Sequence, residues 1–454
     1  MTEGGPHRPL LSGPVLGLAS GAILVPLNST MLAVALPSLM HEFDVDAATI
    51  ATLVTLYLAA VVVALPASGA LGDRFGHRRI FLIGIAGFAL SSLLAVMAPA
   101  FEVLAGARVL QAASGALVST SAISLVRASA PPDRRGAMFG LFDMLVSSSA
   151  ALGPFIGGIL VSAFGWRALF LLALPVAAIA GFTVGLRPGN RASEPSLDSP
   201  RPVDVPGLAI LGLLLSALLV ALQGLDSTGG VVAAALLPVL LIAFVVRELR
   251  VASPAVDLRL FARPAFAAAV VGVLGVTVIL HATFILVPLS VEALLRGSPT
   301  TSGIVLLGIS GVGAVAAPFG GRLSDRFGRR APAVSGALLM VAALGALASL
   351  SAAATVPVMA ALLGVVGLGF GLSGSPRQAA ALEAVAPNAV GMAAGTYFTG
   401  RYLGGVLGAM LAGTVLAGGV SPASVGLGFV VLAVVACAVA IVSVGLPAAT
   451  RRSG

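Results

Sequence analysis

The chain consists of long apolar stretches separated by short polar or charged breaks. Each stretch runs for about 18 to 28 residues, the length that an α-helix needs to cross ~30 Å of hydrocarbon. Because the hydrocarbon layer offers the backbone no water, each stretch must form a helix that satisfies its own hydrogen bonds. We therefore predict fourteen membrane-spanning helices, with approximate centres near residues 25, 59, 90, 114, 150, 178, 215, 238, 278, 310, 340, 364, 404 and 435.

Composition excludes several classes of protein. Apolar residues make up 58% of the chain and charged residues 9%, whereas a soluble globular domain carries roughly 25% charged residues. One cysteine, Cys437, excludes a disulfide within the chain, and with four histidines we expect no metal site and no cofactor. The sequence offers no nucleophile–base set or soluble catalytic domain, so we expect no enzyme. All 25 basic residues are arginine, so a lysine-containing Walker motif is impossible and ATP is not the expected energy source.

The arginines predict the orientation in the membrane. They follow the even-numbered predicted spans, with Arg377 assigned to the loop after the twelfth, whereas the opposite loops carry only Arg167 and Arg296. The positive-inside rule then places both termini in the cytoplasm. The use of arginine without lysine is typical of a high-GC coding bias, so we expect the plasma membrane of a bacterium. The formal net charge of +8 is explained by arginines beside anionic headgroups, so we expect membrane lipids and no nucleic acid as partners.

The breaks also divide the chain into parts. We predict an N-terminal six-helix bundle (1–187) and a Pro- and Ser-rich cytoplasmic linker (188–205). An extra transmembrane hairpin with an amphipathic connector (206–264) and a C-terminal six-helix bundle (265–454) follow. This predicts an all-α integral membrane protein of six, two and six helices.

An internal repeat lies in corresponding loops of the two bundles. GALGDRFGHRR (69–79) returns as GRLSDRFGRR (321–330), each copy following an apolar helix. The repeat resembles the cytoplasmic-loop motif of the major facilitator superfamily, and the whole layout is similar to its fourteen-helix drug:proton antiporters, the second drug-antiporter family. The resemblance implies two pseudo-symmetric bundles around a central cavity that opens alternately to each side. It also implies a gating latch that includes Asp73, Arg74, Arg78 and Asp325; the alternative is that these residues only fix the topology.

The fourth predicted span carries a polar pair deep in the apolar layer. RVLQAASGAL (108–117) is similar to the family's Arg-x-x-Gln-Gly-x-Gly motif through Arg108 and Gln111. The resemblance implies that Arg108 eases proton release by lowering the pKa of a neighbouring carboxylate. The alternative is a static polar clamp between helices.

The fifth predicted span resembles the signature of antiporters. In GLFDMLVSSSAALGPFIGG (140–158), Gly140, Gly153, Pro154 and Gly157 match, and Ser149 replaces a glycine. Within the family this pattern belongs to exporters rather than importers. The alternative is an ordinary Gly- and Pro-rich membrane helix.

The first predicted span departs from the family at a charged position. VPLNSTMLAVALP (25–37) resembles a drug-antiporter motif, but Asn28 replaces its aspartate and cannot ionise. A family preference for cationic compounds therefore does not transfer, although Asn28, Thr30 and Tyr57 remain candidates for the substrate cavity. Asp143, inside the fifth span, is the remaining N-half candidate for proton or substrate binding, unless it lies at the interface.

Further cavity candidates lie in the second bundle. His281 is near the middle of the ninth predicted span and titrates near neutral pH in general, although a hydrogen-bonded helix contact is an equal alternative. Arg401, beside Tyr397 in the thirteenth span, suits an anionic or aromatic substrate, or a structural role. Glu292 is expected at the interface.

The function best supported by the sequence is secondary transport. We expect a monomeric, proton-coupled antiporter that exports a hydrophobic or amphipathic small molecule, such as a drug, antibiotic or secondary metabolite, by alternating access. The alternatives are an importer or facilitator on the same fold and, with least support, a membrane enzyme or receptor.

Overall fold

The computed structural model describes residues 13–129, 135–185, 204–222, 227–251, 254, 256–350, 355–386 and 389–448. Within these ranges the chain is helical and forms no β-strand. Most of the predicted linker, including its arginines, lies outside the described residues, as do both chain ends.

The predicted all-α architecture is confirmed, and the first predicted span is interrupted by a 3₁₀ segment at Leu32–Ala35. The helices before the hairpin are α1 (Gly13–Met31), α2 (Leu36–Phe43), α3 (Ala47–Phe75), α4 (His77–Val96), α5 (Phe101–Ser129), α6 (Arg135–Phe164) and α7 (Arg167–Gly185). The hairpin and the helices after it are α8 (Val205–Leu222), α9 (Thr228–Arg250), α10 (Pro264–Ala293), α11 (Pro299–Phe327), α12 (Arg330–Ser349), α13 (Val356–Glu383), α14 (Val390–Val415) and α15 (Pro422–Ser443).

Length and apolar composition agree with a multi-pass membrane protein. In the described ranges, thirteen helical segments are long and apolar enough to cross a membrane, with α1 and α2 counted as one. Helix α14 is missing from that set although it has 26 residues. Its hydropathy is lowered by Arg401, two tyrosines and several glycines.

The two copies of the internal repeat end their helices in the same way. Helix α3 ends at Phe75 and α11 at Phe327, and the next residues, Gly76 and Gly328, have φ of 88° and 81°. Only glycine adopts such a backbone without strain, which explains why the turn carries glycine in both copies. Both arginine clusters therefore lie on one face of the protein, which we call the arginine-rich face.

Two seams join the bundles, and both lie toward the opposite face. Along the α6–α11 seam, Ser310 Oγ donates to Ala151 O (2.7 Å), and Thr300 Oγ1 lies 2.8 Å from Ser162 Oγ. Along the α3–α14 seam, Leu58 and Val61 pack in one cluster with residues of α14. Because these contacts join the bundles away from the arginine-rich face, this conformation is closed on the opposite face.

The extra hairpin packs beside the α3–α14 seam. Leu211 and Leu215 of α8 and Phe244 of α9 share a buried cluster with Tyr57 and Val406 of the seam. At its end the hairpin is held by Arg247, whose Nη2 lies 2.6 Å from the fully buried carboxylate of Asp204. The hairpin thus covers the seam from the side instead of lining the space between the bundles.

One arginine does not lie where the loop pattern predicts. Arg377 belongs to α13 and is 1% exposed, so its assignment to the loop after the twelfth span is wrong. Its Nη2 donates to Ala333 O and Ser443 Oγ, each at 3.3 Å. The guanidinium therefore lies inside the second bundle, between α12, α13 and α15.

Candidate functional site

A polar cluster surrounds Arg108 in the N-terminal bundle. Arg108 on α5 is 1% exposed, and its Nη1 donates to Asn28 Oδ1 and to Gln111 Oε1, each at 2.5 Å. Its guanidinium carbon lies 4.0 Å from the centre of the Tyr57 ring. Gln111 Nε2 in turn donates to Ser92 Oγ at 2.8 Å. We call these five residues the Arg108 cluster; it joins α1, α3, α4 and α5.

The Arg108 cluster holds a positive charge among neutral groups. No carboxylate of the described residues forms an ion pair with Arg108, and its immediate partners are two amides and an aromatic ring. A buried cation without a counter-ion is costly, and a cation–π contact offsets only part of that cost. Two buried atoms of the cluster, Arg108 Nε and Tyr57 Oη, also have no hydrogen-bond partner within the described chain. The cluster therefore has unused capacity to bind an acceptor.

The antiporter-like segment packs α6 between α1 and α11. Ser149 Oγ donates to Val146 O (2.6 Å) and lies 3.4 Å from Ile23 O of α1. A Cβ at Gly153 would lie 3.2 Å from Leu27 O, and one at Gly157 would lie 2.9 Å from Met31 O. Small residues here allow direct backbone contact between helices.

The other members of that segment lie on the same helix. Thr30 Oγ1 faces Gly153 and donates a hydrogen bond to Pro26 O, one turn earlier on α1, at 2.9 Å. Thr30 therefore forms part of the packing between α1 and α6. The Pro154 carbonyl faces Gly303 of α11, where an added Cβ would lie 2.5 Å away. Gly140 belongs to α6, but its surroundings lie outside the described residues.

Asp143 lies on α6 far from Arg108 along the helix axes. Its backbone is part of α6, but its side chain lies outside the described residues. Asp143 precedes Ser149 by six residues, and Ile23, the neighbour of Ser149, precedes Asn28 by five. At 1.5 Å per residue, these offsets place Asp143 roughly 16 Å from the level of Asn28, toward the arginine-rich face.

The α3–α14 seam brings candidates from both bundles together. A Cβ at Gly405 of α14 would lie 3.1 Å from Leu58 Cδ1 and equally close to the His281 ring. His281 Nδ1 lies 3.0 Å from Thr277 O, one turn earlier on α10, which is the hydrogen-bonded helix contact that the sequence leaves as an alternative. Its ring therefore packs in the seam.

Arg401 lies one helical turn before Gly405, at the edge of the seam. Its side chain is exposed, and its carbonyl accepts from Thr277 Oγ1 at 2.8 Å. Tyr397, one turn earlier on α14, is buried and packs in one cluster with Phe266 and Val270 of α10. Because α14 begins at the arginine-rich face, Arg401 is on the side of the seam where the bundles are not joined. It is thus placed at the inner end of the space between them.

The two repeat copies form different contacts at the arginine-rich face. Asp73 Oδ1 lies 3.2 Å from His77 Nε2, whereas Asp325 Oδ1 accepts from Arg329 Nη1 at 2.9 Å. Arg329 also pairs with Glu383 Oε1 at 2.6 Å, and this hydrogen bond, together with that to Asp325, raises the pKa of the Arg329 guanidinium.

The arginines that follow each aspartate tie the repeat to its own bundle. Arg78 Nη2 donates to Gly185 O of α7 at 3.0 Å, and Arg330 Nε donates to Leu446 O after α15 at 2.9 Å. Arg74 lies over the ring of Phe75, 5.2 Å from its centre. In this conformation the described contacts of Asp73, Arg74 and Asp325 are within a bundle.

Sequence reasoning missed two features of the structure. The first is the burial of Arg377, which its position only six residues before the end of α13 could have indicated. The second is a bridge between the bundles at the opposite face, where His41 Nε2 lies 2.8 Å from Glu292 Oε1. No local pattern links residues 251 positions apart.

A family model described as Major Facilitator Superfamily matches residues 18–409 and, in a second match, residues 265–453. The chain belongs to the major facilitator superfamily. The overlapping second match to the C-terminal part agrees with the duplication seen in the loops.

Relatives within the superfamily include proteins named for antibiotic resistance. The chain is 32% identical to the tetracenomycin C resistance and export protein of Streptomyces glaucescens, over 84% of this chain and 70% of that protein. It is also 32% identical to the methylenomycin A resistance protein of Streptomyces coelicolor, over 84% and 81%. The superfamily fold is supported by a crystal structure of a bacterial homologue of the lysosomal transporter Spinster, with a TM-score of 0.70 at 17% identity, covering 97% of this chain and 98% of that one.

As a member of this superfamily, the chain is a membrane transporter for small molecules. The geometry described above gives that role a structural basis. The two bundles, which share the internal repeat, meet along two seams on one side only. The polar residues predicted for the substrate cavity lie at or beside these seams. The space between the bundles is therefore where a transported molecule would bind.

Proposed function

We propose that the protein is a proton-coupled antiporter that exports a hydrophobic or amphipathic small molecule. The observation that carries the proposal is the identity of 32% with two proteins named for resistance to, or export of, antibiotics. The close packing of α6 at Gly153 and Gly157, at the antiporter-like segment, supports the same direction of transport.

The orientation follows from the positive-inside rule. With the arginine-rich face in the cytoplasm, the conformation described is closed to the outside and receives substrate from the cell. Rocking of the bundles would open the seams and expose the Arg108 cluster to the outside. His41–Glu292, Ser310–Ala151 and Thr300–Ser162 would break in that step, because each joins one bundle to the other.

Asp143 is the proposed proton carrier. Within the described helices, every other aspartate or glutamate lies within two residues of a helix end, whereas Asp143 is eight residues inside α6. A carboxyl group at depth is protonated more readily than one in water, so it can take up and release a proton as its surroundings change. Asp73 and Asp325 are proposed to act as gates at the cytoplasmic face.

The test is transport by purified protein in proteoliposomes. Tetracenomycin C and ethidium serve as probes, each measured with and without an imposed pH gradient and with protein-free vesicles as control. Uphill movement of a probe against proton flow supports the proposal. Movement of every transported probe in the same direction as protons, or at a rate independent of the gradient, would favour an importer or facilitator instead.

A further inference from the structure

Within the two six-helix bundles, the buried charges of the described residues are both positive. Arg108 and Arg377 are each 1% exposed, whereas Arg401, near the middle of α14, is exposed. The buried carboxylates of the described chain, Asp204 and Glu248, belong instead to the extra hairpin, where Asp204 pairs with Arg247. Asp143 is outside this comparison because its side chain is not described.

The lack of a counter-ion is most consequential at Arg108. The side chain nearest to its guanidinium from α1 is the neutral amide of Asn28, so no internal carboxylate cancels the charge there. Arg108 Nε and Tyr57 Oη are both buried donors that have no acceptor among the described residues. An anion held between these two donors would receive two hydrogen bonds and remove the cost of a buried, uncompensated cation.

One member of the cluster, Tyr57, lies at the interface between the two bundles. Tyr57 belongs to the α3–α14 seam, where it packs with Val406 and Met410 of the other bundle. Arg401 lies beyond the edge of that seam, on the side where the bundles are not joined, and its side chain is exposed. A molecule approaching from the cytoplasm would therefore meet first Arg401 and then the seam beside Tyr57.

We propose that the transported molecule is an anion, with a carboxylate, sulfonate or phenolate group that binds between Arg108 and Tyr57 and an apolar body that lies in the seam. The inference rests on the proposed function as an exporter and adds the charge of its substrate. Arg401 attracts the anion into the space between the bundles, and Arg108 and Tyr57 bind its charged group. Arg377 takes no part, because it is enclosed by α12, α13 and α15.

The charge of the substrate has an energetic consequence. In a cell with a negative interior, a membrane potential of 100 mV is equivalent to a concentration ratio of about fifty-fold for a monovalent anion that moves outward. Export of an anion is therefore driven by the potential even before proton flow is added. A cation of the same size would be opposed by the same factor.

The experiment compares three probes that share a naphthalene ring and differ in permanent charge. They are 2-naphthalenesulfonate (anion), 2-naphthalenesulfonamide (neutral) and a trimethylammonium naphthalene (cation), titrated calorimetrically into the purified full-length protein. Wild type is compared with Asn28→Asp, which supplies an internal carboxylate of the same shape, and with Arg108→Gln. Arg377→Gln is the matched control, because it also removes a buried guanidinium.

The expected result is that wild type binds the sulfonate at least about tenfold more tightly than the other two probes. Asn28→Asp and Arg108→Gln should each weaken sulfonate binding by about thirtyfold or more, and Arg377→Gln should leave it unchanged. Equal binding of the cation or the neutral probe by wild type overturns the inference, as does unchanged sulfonate binding in Asn28→Asp. If Arg108→Gln fails to fold, the isosteric Asn28→Asp variant decides.

Transport separates this inference from the function on which it rests. In proteoliposomes with an imposed pH gradient, uphill transport of the cation but not of the sulfonate would leave the antiporter intact and overturn the anion site. Sulfonate binding with no effect of the pH gradient on the flux of any probe would support the anion site and contradict proton-coupled export. Faster outward flux of the sulfonate under an inside-negative potassium diffusion potential supports both the anion site and export.

Discussion

Arg108 Nη1 donates a hydrogen bond to Asn28 Oδ1 across 2.5 Å, although the two residues are 80 positions apart. The position at which this chain departs from the drug-antiporter pattern is thus in direct contact with the buried cation. An aspartate at position 28 would form an ion pair with Arg108, whereas asparagine leaves its charge uncompensated. One substitution on α1 therefore changes the electrostatics of the site without changing its shape.

Asp143→Asn should uncouple transport from protons. Asparagine imitates the protonated acid, so the variant can still bind substrate and exchange it downhill but cannot release a proton. Uphill accumulation driven by a pH gradient should fall to the level of protein-free vesicles, while downhill exchange stays within about threefold of wild type.

The assay for Asp143→Asn measures both fluxes in the same proteoliposome preparation. Asp143→Glu keeps an ionisable group and is the matched control, which should retain uphill transport. An Asp143→Asn variant that accumulates substrate with wild-type dependence on pH would assign Asp143 a structural role and move coupling to the Asp73 repeat or to His281.

Asp73→Asn should impair transport more than Asp325→Asn. The described contact of Asp73 is with His77 alone, whereas Asp325 shares Arg329 with Glu383, which remains when Asp325 is replaced. Efflux should fall by about tenfold in Asp73→Asn, the order expected for one charge-assisted contact made in a single conformation, and by less than about threefold in Asp325→Asn. Both variants should insert normally.

Efflux rates normalised to the amount of protein in the membrane decide this comparison. Equal rates for Asp73→Asn and wild type would show that the repeat fixes topology only. A larger loss of efflux in Asp325→Asn would show that the C-terminal copy of the repeat, and not the N-terminal copy, contributes more to gating.

Gly303→Val should prevent closure of the opposite face. A Cβ at Gly303 would lie 2.5 Å from Pro154 O and 3.2 Å from Phe155 Cα, so α6 and α11 must move apart. Overpacking a close backbone contact of this kind costs about 1–3 kcal/mol, which should lower efflux by about tenfold or more. Gly345→Val on α12 is the control, because nothing lies within 4 Å of its added Cβ.

The conformational change is measured by labelling. A cysteine placed at Ser310, which is half-buried in the α6–α11 seam beside Ala151, should react faster with an impermeant thiol reagent in Gly303→Val than in wild type. Cys437 is replaced by serine in all variants to remove background labelling. Unchanged reactivity together with normal efflux would mean that the seam tolerates the extra volume.

Arg377→Met should leave the fold intact and raise thermal stability. The guanidinium is buried with hydrogen bonds of 3.3 Å and longer, its Nε has no partner within the described chain, and no ion pair holds it there. Replacing a poorly satisfied buried charge with an apolar side chain of similar length is often stabilising, by about 1–4 kcal/mol. A melting temperature below that of wild type in detergent would assign Arg377 a net stabilising role.

Several features were readable from the sequence because they depend on local physics. The spans follow from the length of each apolar run, since a backbone in hydrocarbon has no alternative to the helix. The turns at Gly76 and Gly328 follow from the repeat. The importance of Arg108 follows from its depth in an apolar run. Arg377 was misplaced because a hydropathy pattern does not distinguish a loop from the polar end of a long helix.

The sequence by itself determined the membrane helices, the duplication, the superfamily resemblance and the presence of a buried arginine. Only the tertiary structure decided which groups share that arginine: Asn28 from α1, Tyr57 from α3 and Ser92, through Gln111, from α4. It also decided that the seams close one face and that Asp143 lies roughly 16 Å from the level of Asn28 along the helix axes. The physical reason is that hydropathy acts on each residue separately, whereas a contact between helices depends on the register and rotation of both.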